Sequence, residues 1–236
     1  MYFGMFYDST FLILIPAFIL AIFAQSRVNS VYRRYANVPN RKGITGGEAA
    51  KRILNSNRDL AMIPVELTQG KLSDHYDPRK KIMRLSPEVH DGASIAAVAI
   101  AAHEAGHAIQ HGNRYIPLKV RNAIALPVSI VSHASWPLLI IGIIVIQMGH
   151  YSSGNLIFNI GVIAFAFVVL FHVITLPVEF NASKRAIQQL KDLDIIYEEE
   201  AGSAKKVLSA AALTYVAALA VAVAQLVRLL LIRGRN

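Results

Sequence analysis

The chain contains no cysteine. That absence excludes a disulfide framework, thiolate chemistry and a zinc site built on sulfur. Charge is also missing over long distances. No Asp, Glu, Lys or Arg occurs from Asn122 through His150, or from Tyr151 through Val178. Residues 9–26 are equally uncharged, and residues 207–232 carry only Arg228. Each stretch reaches the roughly 20 residues that a helix needs to cross a bilayer. With 54% of 236 residues hydrophobic and a mean hydropathy of +0.43, the composition is that of an integral membrane protein. The first stretch, extended upstream by MYFGMFY, lacks a basic leader and a small-x-small cleavage site. It reads as an uncleaved anchor rather than a signal peptide.

Basic residues outnumber acidic ones, 24 to 15. A net charge of +9 invites a nucleic-acid reading, but the distribution argues against one. Sixteen of the Lys and Arg residues lie between Arg27 and Arg121, five between Lys184 and Lys206, and three at the C-terminus. None precedes Arg27 and none falls near His150. That is the positive-inside pattern, with both hydrophilic segments cytoplasmic and the excess charge facing anionic headgroups. Arg233 and Arg235 fit this scheme poorly, because four spans that start outside also end outside.

The expected organisation is an anchor over 1–26, a hydrophilic domain over 27–121, an apolar hairpin over 122–177, a second hydrophilic piece over 178–206 and a last span over 207–236. Thr45-Gly-Gly-Glu48 fits a capping box opening a helix through about Leu54. Residues 63–67 and 81–86 look like short strands. The second could offer an edge to an extended substrate, or be a plain structural strand. Asp91 or Ser94 would cap the alanine-rich helix that follows, with its exit near Gly112 and Asn113. Pro177 fits the first turn of a new amphipathic helix or a kink in a continuing one. The expected class is α+β, mainly α.

That alanine-rich helix carries His103-Glu104-Ala105-Gly106-His107. Positions i and i+4 differ by about 40° in azimuth and 6 Å in rise, so both imidazoles can reach one ion. The glutamate between them projects beside it, where a carboxylate can take a proton from water held there. Two unrelated helix histidines are the bland alternative. A catalytic zinc takes three protein ligands and leaves a position open. His111 extends the ladder, but His103 and His111 are about 12 Å apart along a straight helix, too far for bonds of about 2 Å. A further histidine six positions after His107 is absent, since Asn113 stands there. Glu179, just after Pro177, is the better third ligand, returned to the same side by the hairpin. It reads equally as an exposed first-turn carboxylate favoured by the helix dipole. Imidazole and carboxylate donors suit zinc among the divalent ions.

HEAGHAIQH, LPVEFNASKRA and AALTYVAALA together resemble the YugP-like family of bacterial membrane neutral zinc metallopeptidases, over essentially the whole chain. More distantly, the layout resembles HtpX-type membrane peptidases. The resemblance implies a membrane gluzincin with His103, His107 and Glu179 as zinc ligands and Glu104 as general base. It departs from the HtpX pattern at Ser183, where an aspartate would brace a zinc histidine; Asn181 is a substitute. Tyr215 is the expected oxyanion donor, or else an interfacial or core tyrosine. His133, His150 and His172 read as structural. The expected function is a zinc endopeptidase of the bacterial plasma membrane, acting on protein or peptide substrates, membrane proteins among them, with its site facing the cytoplasm. Its rivals are a site-2-type intramembrane protease, with Ala93–Ala102 entering the bilayer, and a non-catalytic zinc-binding scaffold or chaperone.

Overall fold

The computed structural model describes residues 9–70 and 73–234. The apolar MYFGMFY stretch and Arg235, both used above, lie outside the described residues. The elements run α1 (Leu14–Ala36), α2 (Gly46–Asn55), β1 (Val65–Leu67), β2 (His75–Asp77), β3 (Ile82–Leu85), α3 (Pro87–His90), α4 (Ile95–Gly112), α5 (Ile116–Gln147), α6 (Tyr151–Asp192) and α7 (Glu198–Arg233). Among the described residues the architecture is mainly helical with one small sheet, and four of the helices are long and apolar enough to cross a membrane. Two compact units divide the chain: residues 1–23, 120–176 and 215–236 form one, and residues 24–119 and 177–214 form the other.

In the apolar unit, α5 and α6 pack through glycines. A Cβ at Gly142 would fall 2.6 Å from the Phe158 backbone, and one at Gly154 would fall 2.6 Å from the Ile146 backbone. Close backbone approach through small residues is how helices associate where lipid removes the hydrophobic drive. Leu139, Phe158, Val162, Phe165 and Leu229 form the packed centre. Ile19, Ile22, Ile141, Ile163 and Phe167 point outward, as lipid-facing residues should. Pro177 does not open a new helix. It lies inside α6, which continues without a break to Asp192.

The second unit is built like a small water-soluble domain. The Thr45 hydroxyl accepts from the Glu48 amide while the Glu48 carboxylate accepts from the Thr45 amide, so the capping box opens α2. The Ser94 hydroxyl accepts from the Ala97 amide at the start of α4, and Asn113 caps its exit. The small residues Ala96, Ala97, Ala99, Ala101, Ala102, Ala105 and Ala108 let neighbours close over α4. Ile53, Met83, Leu85, Ile95, Leu190 and Ile195 fill the surrounding core at 0–1% exposure. Each such side chain contributes about 1.5–3 kcal/mol of burial. Among the contacts that tie the returning segment to the first, the Lys42 ammonium donates to the Asp194 carbonyl at 2.7 Å, and the Arg41 amide to Glu200 at 2.9 Å.

The sheet order is β1-β3-β2, with β1 parallel and β2 antiparallel to β3. The strand expected over 81–86 is therefore central. Both of its edges are occupied, so it offers no edge for strand addition. The outer position beside α4 belongs to β2, a strand too short and polar to announce itself in the sequence.

Candidate metal centre

Helix α4 presents His103 and His107 one turn apart, with ring centroids 4.8 Å apart and planes nearly perpendicular. Helix α6 lies against this turn because Gly106 has no side chain. A Cβ there would fall 2.6 Å from the Ala182 carbonyl oxygen. The close approach brings in Glu179, one turn earlier on α6 and only 3% exposed. Its Oε2 lies 3.3 Å from His103 Nε2 and 3.5 Å from His107 Nε2. Glu179 is thus buried in mid-helix, not an exposed carboxylate in a first turn. His111 takes no part: its Nδ1 meets the Tyr76 hydroxyl at 2.8 Å.

One donor atom from each of His103, His107 and Glu179 falls within 4.8 Å of the others. Tetrahedral zinc with bonds of about 2.0–2.2 Å separates its ligand atoms by roughly 3.3–3.6 Å. Both histidine-to-carboxylate distances fall in that range, so the three residues fit a metal ion. A buried carboxylate between two imidazoles is also the donor set that borderline divalent metals favour.

The far nitrogens of both rings have partners. His103 Nδ1 lies 3.2 Å from the Ser183 hydroxyl, so the residue at the expected bracing position makes the contact itself. His107 Nδ1 lies 3.0 Å from Gln110 Oε1. Asn181, expected as a substitute brace, touches neither ring; its Oδ1 accepts from Gln110 and from Arg185. Gln110 went unnoticed in the sequence, although its i+3 spacing from His107 on the same helix was there to be read.

Glu104 stands outside the three-atom group. Its Oε2 accepts from the backbone amide of Tyr76 on β2 at 3.1 Å. Burial pushes its carboxyl above the usual carboxylate range, with the His103 and His107 charges opposing the rise. Burial likewise pushes the Tyr76 phenol up to about 12, so it stays protonated across the physiological range. Tyr215 lies partly buried in α7, in the stretch belonging to the apolar unit. His133, His150 and His172 belong to that unit too.

Over residues 10–234 the chain matches the family described as "Putative neutral zinc metallopeptidase". It belongs to that family. It is 44% identical over 224 residues to the "Putative membrane protease YugP" of Bacillus subtilis (strain 168), a match covering 94% of this chain and 96% of that protein. No solved structure matches. Among the described residues of this neutral zinc metallopeptidase family member, one group of three His or carboxylate donors gathers closely enough to hold a metal.

Proposed function

We propose that this chain is a membrane-anchored zinc endopeptidase that hydrolyses peptide bonds of protein substrates near the cytoplasmic membrane surface. The observation that carries the reading is Glu179, a nearly fully buried carboxylate whose Oε2 stands within 3.5 Å of both motif imidazoles. A carboxylate is costly to bury without a positive partner, and a divalent ion is the partner that this donor set fits. Family membership and the name of the Bacillus subtilis relative point the same way.

His103, His107 and Glu179 would hold the zinc, which supplies Lewis acidity to a scissile carbonyl and acidifies water. Glu104 is the proton carrier. Its Oε2 is held by the Tyr76 amide, which leaves Oε1 to accept a proton from the attacking water and pass it to the leaving amine. The raised carboxyl suits both halves of that task, because a carboxylate made more basic by burial takes the proton more readily and, as the acid, still returns it to the amine. Tyr215 is retained as oxyanion donor on its place in the LTYVAALA run alone.

The packing of α4 favours this reading over intramembrane cleavage. Ala96–Ala102 are covered by α2, α3 and the sheet of a domain whose loops are charged and polar. The basic segments on either side of the apolar hairpin favour a cytoplasmic site. The test is cleavage of an unfolded protein by the purified full-length chain in detergent or proteoliposomes. Wild type should cleave and Glu104→Gln should bind zinc without cleaving. Equal cleavage by both would remove Glu104 from the mechanism, and cleavage by neither would leave the scaffold reading.

A further inference from the structure

We infer that Gln110, oriented by Asn181 and Arg185, is a positioning residue that fixes which nitrogen of His107 faces the metal and pins the Glu179 backbone to α4. The inference rests on the metal site proposed above. Its logic is directional. The Arg185 Nε–H can only donate, so the Asn181 atom that it meets at 2.8 Å is Oδ1. The Gln110 amide nitrogen donates to that same Oδ1 at 3.0 Å and to the Val178 carbonyl at 2.8 Å. Two acceptors on one side settle the orientation of the amide: nitrogen toward α6, Oε1 toward His107. An amide oxygen only accepts, so His107 Nδ1, 3.0 Å away, carries the hydrogen. In the neutral ring, the form that binds a metal, the Nε2 lone pair is thereby left on the side of Glu179.

The same amide does a second task. Val178 immediately precedes Glu179, so the bond to its carbonyl holds the backbone that delivers the third ligand. Gln110 is 0% exposed, and no bulk water can replace its three contacts. Ser183, beside His103, is a weaker constraint. A hydroxyl donates or accepts as required, so it admits either tautomer of that ring.

The variant that separates positioning from mere core filling is Gln110→Met, which keeps the volume and removes every hydrogen bond. Zinc affinity of the folded full-length protein, read by chelator competition, and thermal unfolding of the metal-free protein are measured side by side. Positioning predicts that zinc affinity falls by roughly 10–100-fold, as when a histidine ligand loses its outer partner. Ser183→Ala should lose less than about threefold by the same reasoning. A glutamine that only fills the core would lower the unfolding midpoint while leaving zinc affinity within about twofold, and that result overturns the inference. If Gln110→Met does not fold, Asn181→Leu cuts the chain one step upstream, and an unchanged zinc affinity there is equally fatal. Wild type that binds zinc without cleaving protein would remove the peptidase reading and leave this inference standing. Wild type that binds no zinc would remove both.

Discussion

Gly106→Ala is the sharpest perturbation of the site that leaves every ligand in place. In an ordinary helix interior the change stabilises, since glycine is about 1 kcal/mol worse than alanine there. Here the new methyl would stand 2.6 Å from the Ala182 carbonyl oxygen, against ordinary contact from 3.4 Å outward. That oxygen belongs to helix backbone and cannot rotate aside, so α6 must retreat by about 0.8 Å. Overpacking of this kind costs about 1–3 kcal/mol, which matches or exceeds the propensity gain. The larger effect falls on Glu179, carried on the same helix one turn before Ala182. Metal bonds tolerate errors of about 0.2 Å, a quarter of that retreat. Zinc affinity by chelator competition should therefore drop at least about tenfold, while the metal-free protein loses about 0–2 kcal/mol of stability. Gly202→Ala is the control, because nothing lies within 4 Å of its added methyl on α7. A Gly106→Ala protein that melts higher than wild type, as the control should, and binds zinc equally well would refute the close docking of α6 on α4.

Glu179→Gln should lose zinc by more than the roughly 10–100-fold expected for an outer partner, because a ligand and its charge both go; metal content after dialysis reads this directly. Glu104→Gln should retain zinc and lose cleavage by at least about 100-fold, the lower range for a positioned proton carrier. Zinc binding should also depend on pH in a specified direction. Burial alone would lower the His107 imidazole, but the Glu179 hydrogen bond and the Glu104 charge outweigh it and hold the group above its usual value. Zinc must displace that proton, so affinity should fall as pH drops, beginning above the ordinary imidazole value of about 6.5. In Glu104→Gln, with one of those charges gone, the fall should begin at lower pH; titration at several pH values checks both.

Much of this was legible because it rests on periodicity and local chemistry. The four apolar stretches, the Thr45–Glu48 box, the Ser94 cap and the i, i+4 histidine pair each declare themselves within a few residues. What stayed hidden depends on contacts between distant segments. β2 has three residues, His-Tyr-Asp, with no hydrophobic alternation, and exists because β3 and α4 lie beside it. With β2 in place, β3 became central and the expected edge disappeared. Gln110 reads as one more polar residue near a helix end until Val178 and Asn181 arrive from about 70 positions away. Gly106 reads as a weak point in a helix until Ala182 meets it. Pro177 was ambiguous for a different reason: a proline forfeits no internal hydrogen bond in a first turn and one in a continuing helix, and only the surrounding packing decides which of the two forms.

The chain order constrains the site in a way that the ligand list alone does not. His103 and His107 precede the apolar hairpin and Glu179 follows it, yet all three belong to one compact unit assembled from residues 24–119 and 177–214. Among the described residues between them, α5 and the first part of α6 are the helices able to cross a bilayer. Two crossings return the chain to its starting side, whereas one or three would strand the carboxylate across the membrane from both imidazoles. The cost of moving a carboxylate through hydrocarbon opposes any rescue after insertion. Completion of the donor set therefore depends on the insertion parity of the hairpin.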